Sequence, residues 1–345
     1  MSNLPPSGEI PRGAIRFNTD SNKPELWDGS QWAEFQLSTP NLGRSVDTQP
    51  GPRGIAWAGN NGSNLNVIDY INIASTGNSV DFGGLAMGAT TAGAACASST
   101  RGVFAGGQNP SVFSAEIAFI TIASTGIAAD WGANLSEGRD FITALSNQTR
   151  GIWAGGRKSS GVGTNKIDYV TIASSGQTAN DFGDLTAAQL YYPMGLASPT
   201  RGVIGGGAPT SPADTGIDFI TIATTGNAQD FGTLGNNRGG AGLSNAIRGI
   251  FAGGYTPSLS SAISYITIAS TGDTTNFGDL TRTVRSHAPA SSPTRGVFMG
   301  GKQPGSSLTI DYINIQTEGD AVDFGDLIGT TRGNIGGCSN AHGGL

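Results

Sequence analysis

The stretch "TRGVFAGG" at residues 100–107 recurs along the chain. Close copies stand at 149–156, 200–207, 247–254 and 294–301, and looser copies at 11–18 and 52–59. The Arg-Gly pairs of the copies from residue 52 onwards begin at Arg53, Arg101, Arg150, Arg201, Arg248 and Arg295. The pairs are 47 to 51 residues apart, so the chain is built from internal repeats of nearly constant length.

Each repeat contains four segments with the pattern of β-strands, which we label b, c, d and a in chain order. Strand b begins at the Arg-Gly pair, and strand c is an alternating run such as "IDYINIASTG" at 68–77. The "STG" that ends it is a hairpin signal, because glycine supplies the positive φ of a tight turn. Strand d is "DFGGL" at 81–85 or a variant, and a looser strand a leads to the next Arg-Gly. A period near 48 with four strands is typical of one blade of a β-propeller.

Two repeated features predict contacts between blades. The third residue after the arginine is bulky in five repeats, and we expect it to pack against the neighbouring blade: Phe104, Trp153, Ile204, Phe251 and Phe298. The repeated arginine is expected to satisfy polar groups between blades, with the aspartate of the "DFG" run or of strand c as its partner.

The C-terminus ends in a partial repeat, which predicts how the ring closes. The "SNA" at 339–341 matches the "SNA" at 244–246, so the chain stops after strand a of a seventh blade. Segments 12–18, 23–29 and 31–37 can supply strands b, c and d, with Arg12 as the seventh repeated arginine. We therefore predict an all-β fold, a single seven-bladed β-propeller over 1–345 that is closed by a shared blade. In this prediction blade seven comes from 12–37 plus 330–342, and blades one to six lie within 43–329. The alternative is six blades with residues 1–40 as a separate N-terminal anchor.

Composition limits the classes of function. The net charge is −6 and the pI is about 4.9, which argues against a nucleic-acid groove because such a groove needs a basic stripe. No apolar run of eighteen residues is present, so no membrane insertion is expected. Cys96 and Cys338 lack metal-ligand spacing. They occupy the same slot of blades two and seven, which blade one separates, and we expect no disulfide between them.

No catalytic motif is found in the sequence. Nucleophile elbow, P-loop, dinucleotide fingerprint and His-Glu-x-x-His patterns are missing. The repeated "DFG" lacks the other kinase motifs and indicates architecture. We therefore expect a protein without enzymatic activity, cofactor or metal.

The b–c loops vary most between repeats, and strand alternation places them on one face together with the d–a connections. Aromatic, basic and amide side chains there suit a hydroxyl-rich glycan or a protein partner. The adjacent tyrosines of a strand-a segment are predicted either to join this face or to fill the channel. The candidate binding residues are Phe113, Arg157, Lys158, Tyr191, Tyr192, Tyr255 and Lys302.

Two segments resemble known families. The Gly-Gly end of strand b is similar to kelch propellers, although the kelch Tyr and Trp partners are missing. The segment "GAIRFNTDSNKPELWDGSQWAEF" at 13–35 resembles one that recurs in virion proteins of tailed bacteriophages, especially tail and head fibres. Repeats such as "IDYVTIASSG" at 167–176, followed by "DFGDL" at 181–185, also resemble repeats of phage tail-fibre-like proteins, those of marine cyanophages among them.

The phage resemblance implies a non-enzymatic structural protein of the virion. We expect it to attach to neighbouring virion proteins and to recognise a host-surface glycan or protein through the b–c loops, with homo-oligomer formation left open. A purely structural capsid or tail decoration protein is one alternative, and a cellular kelch-like interaction module is another. Neither resemblance supplies catalytic residues.

Overall fold

Strands and turns make up all the secondary structure that the computed structural model describes, which confirms the all-β class. The described residues are 10–18, 23–34, 52–110, 112–189, 192–207, 215–235, 239–255 and 258–341. The chain divides into two compact units, 1–49 and 50–345, where the sequence predicted one domain.

The N-terminal unit contains a three-stranded antiparallel sheet of Ile15–Asn18, Lys23–Trp27 and Trp32–Glu34. The turn before the third strand forms because the Asp28 carboxylate accepts the backbone N–H groups of Ser30 and Gln31. The same hydrogen bonds lower the pKa of Asp28. Arg12 is exposed and lies in a turn before the first strand, whereas the other six repeated arginines each begin a strand. Arg12 is therefore not equivalent to them, and the prediction of a seventh repeated arginine is wrong.

Unit 50–345 contains six four-stranded antiparallel sheets, each in the order a-b-c-d. From sheet 1 to sheet 6, strand b is Arg53–Trp57, Arg101–Ala105, Arg150–Ala154, Arg201–Gly205, Arg248–Tyr255 and Arg295–Met299. Strand c is Val67–Asn72, Glu116–Thr121, Thr164–Thr171, Gly216–Thr221, Leu259–Thr267 and Thr309–Asn314. Strand d is Val80–Gly84, Ala129–Asn134, Asn180–Gln189, Gln229–Thr233, Thr275–Asp279 and Val322–Asp326. Strand a is Gly336–Ser339, Ala94–Ala97, Thr143–Ser146, Met194–Ala197, Ala241–Ser244 and Ala288–Ser291.

Sheet 1 combines the two ends of this unit. The C-terminal strand Gly336–Ser339 pairs with Arg53–Trp57, so that Gly336 lies opposite Trp57 and Ser339 opposite Gly54. The Asn340 side chain accepts the Arg53 N–H at 2.8 Å, as the Asn245 side chain accepts the Arg248 N–H within one continuous turn. The predicted blade of 12–37 plus 330–342 is therefore wrong. The C-terminal segment is a strand a, as predicted, but its partner is the strand b that begins at Arg53.

Apolar clusters fill the spaces between successive sheets, and one of them joins sheet 6 to sheet 1. The bulky strand-b residues are buried in five of these clusters, as predicted. Sheet 1 carries the small Ala56 at this position, and Met299 of sheet 6 packs in the same cluster. Its next residue, Trp57, points to the other side and stacks on Phe104 of sheet 2 with ring centroids 5.0 Å apart.

The six repeated arginines join neighbouring sheets. Each Nη1 donates a hydrogen bond of 2.8–3.0 Å to a carbonyl just beyond strand c of the next sheet. Each guanidinium also lies 4.3–4.7 Å from the centre of an aromatic ring in its own strand c. The acceptor is a main-chain carbonyl and not the predicted aspartate. Arg295 of sheet 6 contacts Ile73 of sheet 1 in the same way as the others contact their neighbours.

A second set of repeated contacts lies at the outer edge and will be called the outer belt. The glycine N–H after each strand c donates to the carbonyl of the Phe or Trp in strand d of the preceding sheet, at 2.7–2.9 Å. The first of these glycines, Gly77, donates to Phe324 of sheet 6. The "DFG" glycine must lack a side chain here. At Gly278, for example, φ is +153° and a Cβ would stand 2.4 Å from the Gly319 oxygen.

Both cysteines are buried, and they form no disulfide, as the sequence predicted, but for another reason. Their strands are neighbours and are not separated by a blade. Cys338 packs in the cluster between sheets 1 and 2, and Cys96 packs in the cluster between sheets 2 and 3. Burial raises the pKa of both thiols, that of Cys338 to about 12.

Candidate functional site

The b–c loops and the d–a connections lie on one face of unit 50–345, as predicted, and pair with each other. Arg139–Asp140 of a d–a connection forms a two-residue ladder with Arg157–Lys158 of a b–c loop. Arg285 and Lys302 form a similar bridge in sheet 6, and Asn60 bridges to Gly333. In the loop of sheet 2, Gln108–Asn109 pairs with Val112–Phe113. We call this surface the loop face.

Six residues at its centre occupy one structural position, two residues before strand a of each sheet. All six have a left-handed φ between +49° and +72°. They form what we call the mouth ring: Ala92, Phe141, Tyr192, Gly239, Ser286 and Asn334. Five of them are not glycine, and only one other described non-glycine residue, Ala58, has a positive φ. Strained backbone of this kind concentrates at functional sites.

Main-chain hydrogen bonds connect members of the mouth ring. Ala92 N–H donates to the Asn334 oxygen at 3.0 Å, and Phe141 N–H donates to the Ala92 oxygen at 2.7 Å. Ser286 N–H donates to the Gly239 oxygen at 2.7 Å. Gly239 N–H donates to the Tyr192 oxygen at 3.3 Å, so four of the six members donate to the preceding member.

Strand a of all six sheets lines a cavity below the mouth ring, with a volume of about 80 Å³. A water molecule needs about 10–15 Å³ in this measure, whereas ligand pockets commonly span about 300–1,000 Å³. The cavity therefore admits waters or one small chemical group. A larger ligand must lie on the loop face above it.

Tyr192 is the central side chain of the mouth ring. Its ring lies 4.2 Å from that of Phe141, and its hydroxyl donates to Asn334 Oδ1 at 3.1 Å. Burial raises the pKa of Tyr192, while Arg285 and Arg157 oppose that rise. A Cβ on Gly239, the next member of the mouth ring, would stand 3.4–3.6 Å from the Tyr192 side chain, so that side chain lies at the mouth. Tyr191 lies outside the described residues.

Three predicted residues form one cluster on the loops of sheets 2 and 3. Arg157 makes a two-pronged ion pair with Asp140, at 3.0 and 2.6 Å, and lies 5.2 Å from the Phe113 ring. Lys158 Nζ is 3.7 Å from a Glu137 oxygen and its side chain is 38% exposed. Burial raises the pKa of Asp140, and the hydrogen bond and charge of Arg157 oppose the rise. Arg157 is thus held by a carboxylate, while Lys158 remains open to solvent.

Tyr255 and Lys302 lie near a residue that the sequence did not single out, Arg285. The Arg285 guanidinium is 5.6 Å from the Tyr255 ring, and Tyr255 is 40% exposed. Arg285 and Lys302 exchange two main-chain hydrogen bonds at 2.9 and 2.7 Å. Burial and the Arg285 charge both lower the pKa of Lys302. Within the described ranges neither cation has an ion-pair partner.

Buried ion pairs support the loop face from below, and these too were missed. Arg139, completely buried, donates to Asp168 at 2.5 Å and to the oxygens of Gly155 and Lys166. The same pairing joins Arg282 to Asp311 and Arg332 to Asp69. In each pair a d–a connection reaches the aspartate in the second position of the Ile-Asp run. The aspartates were visible in sequence, but their partners come from loops of irregular spacing.

His287 follows the mouth ring in sheet 6, where sheets 1 and 3 have Ile335 and Ile142. Its ring meets the Phe298 ring edge-on at 5.5 Å, and neither nitrogen has a hydrogen-bond partner. Burial lowers the pKa of His287 to about 3, so the imidazole is neutral at physiological pH.

Comparison with protein-family models and with curated proteins finds no match for the chain. No group of three metal-binding side chains is present among the residues that the structure describes. In the same residues there is no helix that could cross a membrane.

Proposed function

We infer that the six sheets of 50–345 are the blades of a closed six-bladed β-propeller. Three repeated contacts support closure because each includes a member that joins sheet 6 to sheet 1. These are the apolar cluster around Ala56 and Met299, the Arg295 hydrogen bond to Ile73, and the Gly77 hydrogen bond to Phe324. Sheet 1 takes strand a from the C-terminal end of the unit and strands b, c and d from its beginning, and it would thus hold the ring closed.

We propose that this propeller is a non-enzymatic attachment module of a bacteriophage virion. One observation carries the proposal: the repeats are uniform at the outer belt and diverge at the loop face. Main-chain strain, aromatic side chains and cations that have no carboxylate partner among the described residues all collect on that face. Such a combination supports recognition of a host-surface glycan or protein.

The N-terminal unit is proposed as the part that attaches to a neighbouring virion protein. It carries the segment that resembles phage fibre proteins, and its first strand exposes Ile15 and Phe17 at 67% and 60%. Exposed large apolar side chains close together are typical of interaction surfaces. The two units would thus face different partners in the particle.

Binding to a glycan array tests the attachment proposal. We expect the intact protein to bind defined glycans, and Tyr255→Ala and Lys158→Gln to weaken binding while thermal unfolding stays unchanged. Ile127→Thr is the matched control, because Ile127 is 77% exposed at the outer edge, away from the loop face. Equal loss in the control, or binding unaffected by both loop-face variants, would contradict recognition through this face.

Electron microscopy of immunogold-labelled particles from infected cells tests the virion assignment. Gold on the tail or capsid is the expected result. Label confined to cell lysate would favour a cellular interaction module instead.

A further inference from the structure

Acidic and basic side chains of unit 50–345 are concentrated in different places. Five exposed aspartates repeat along strand d at the outer edge: Asp81, Asp130, Asp181, Asp230 and Asp323. The repeated arginines and the buried arginine pairs are structural. Among the other Lys and Arg residues that the structure describes after residue 50, Lys166 is exposed in strand c, and four lie in a b–c loop or a d–a connection: Arg157, Lys158, Arg285 and Lys302. Four of the five remaining described cations of this acidic protein thus lie on the loop face.

Arg285 directly precedes Ser286 of the mouth ring, and Lys302 lies opposite Arg285. Their strands are bridged by the main chain, and a Cβ on Gly333 would touch the Lys302 side chain, so that side chain crosses the backbone next to Asn334. Two adjacent cations without a carboxylate repel each other, and partial burial makes that repulsion costly. An anion bound between them would relieve it.

Asn334 adds an uncharged donor beside these cations. Its Oδ1 accepts the Tyr192 hydroxyl, which leaves the Nδ2 hydrogens without a partner in the described part of the chain. The site therefore offers guanidinium, ammonium and amide donors, while the Asn334 Oδ1 acceptor is already occupied. Donors arranged in this way fit an oxyanion.

We propose that the mouth ring binds a glycan through a negatively charged substituent, with Arg285, Lys302 and the Asn334 amide holding the oxyanion. The inference rests on the proposed attachment function and names the ligand class of that face. The sugar lies over the rings of Phe141 and Tyr192, because the 80 Å³ cavity admits only a substituent. Carboxylates and phosphates share the required chemistry.

The test uses pairs of immobilised oligosaccharides. Uronic-acid and sialic-acid glycans are each compared with their methyl esters, and phosphorylated mannosides with the dephosphorylated form. The intact protein should prefer the charged member at least tenfold, and the preference should fall as salt is raised. Whether the carboxylate or the phosphate pairs show the preference identifies the anion.

Arg285→Gln and Lys302→Gln should each reduce binding of the charged member about 10- to 100-fold, as expected for loss of a charge-assisted hydrogen bond. Binding of the uncharged member should change less than threefold. Lys166→Gln is the matched control, because Lys166 is an exposed cation in strand c of sheet 3, outside the mouth ring, and it should bind like wild type.

Each outcome separates the two proposals. Equal binding of charged and uncharged members, or equal losses in Lys166→Gln, overturns the oxyanion site while glycan attachment stands. If no glycan binds, the oxyanion site is overturned, and attachment to a protein receptor is then decided by binding of the labelled protein to intact host cells.

Discussion

The outer belt and the mouth ring are built from the same repeats, yet they use them in opposite ways. In the outer belt every sheet contributes the same glycine, with the same hydrogen bond to the preceding sheet. In the mouth ring every sheet contributes a different residue at the same backbone position and φ. The belt needs uniformity because each of its contacts must join one sheet to the next in the same way. The mouth ring keeps only the backbone uniform, so its side chains are free to differ.

Removing the C-terminal strand should have the largest effect on the uniform set. A variant ending at Ile335 loses strand a of sheet 1 and exposes the edge of Arg53–Trp57. Because the variant loses Cys338 from the cluster between sheets 1 and 2 and exposes the inner edge of strand b to water, we expect cooperative thermal unfolding to be lost. Circular dichroism during heating measures this.

A variant ending at Ala341 is the control, since it keeps the strand. A sharp transition in both variants would show that sheet 1 does not depend on the chain terminus.

Breaking a buried ion pair should have the next largest effect. Arg139→Thr leaves the Asp168 carboxylate buried without its partner, which typically costs about 3–5 kcal/mol in free energy of unfolding. In sheet 2, the positions equivalent to Arg139 and Asp168 hold Thr90 and Ala118, which form no ion pair. The double variant with Asp168→Ala should therefore recover most of the loss. Denaturant titration measures both free energies of unfolding. If the double variant is no more stable than Arg139→Thr, the unpaired carboxylate is not the cause of the loss.

The buried histidine predicts a dependence on pH. The pKa of His287 is about 3 in the folded protein against 6.5 ordinarily, so below pH 6.5 the unfolded chain takes up a proton that the folded one does not. The part of the free energy of unfolding that is linked to His287 is therefore fully present above pH 6.5 and is lost as the pH falls toward 3. Between pH 8 and pH 5 this amounts to about 2 kcal/mol.

His287→Ile introduces the residue of sheets 1 and 3 at this position and should remove that loss. In urea titrations, we expect the free energy of unfolding of the variant, taken relative to wild type, to be higher at pH 5 than at pH 8. If the variant and wild type differ in free energy of unfolding by the same amount at both pH values, His287 does not take up a proton when the chain unfolds.

The smallest effect on stability is expected at the mouth. Arg285→Gln removes one of two neighbouring cations that lack carboxylate partners, so the free energy of unfolding should change by about 0.5 kcal/mol or less. Calorimetry of the purified variant measures this. A loss of several kcal/mol would make Arg285 a structural residue and remove the contrast between the two regions.

Much of this architecture was predictable from periodicity. The strand-b arginines, the buried Phe104 and Phe251, and the loop face all follow from repeat spacing and strand alternation. The partner of the C-terminal strand was misassigned because residues 12–37 also contain an Arg-Gly pair and three strand-like runs, and local pattern does not say which strand b the C-terminal strand meets. The mouth ring was missed because Ala92, Phe141 and Asn334 share no chemistry. Only their common offset from strand a could have identified them.

The sequence by itself determined the repeating unit, since alternation, turn glycines and aromatic spacing are local properties that each repeat carries whole. Tertiary structure alone decided three things: the pairing of 336–339 with 53–57, the partners of the buried aspartates, and the meeting of Arg285 with Lys302. Each of these depends on distances between segments far apart in the chain. Such distances exist only once the sheets have packed side by side and their apolar faces have left water.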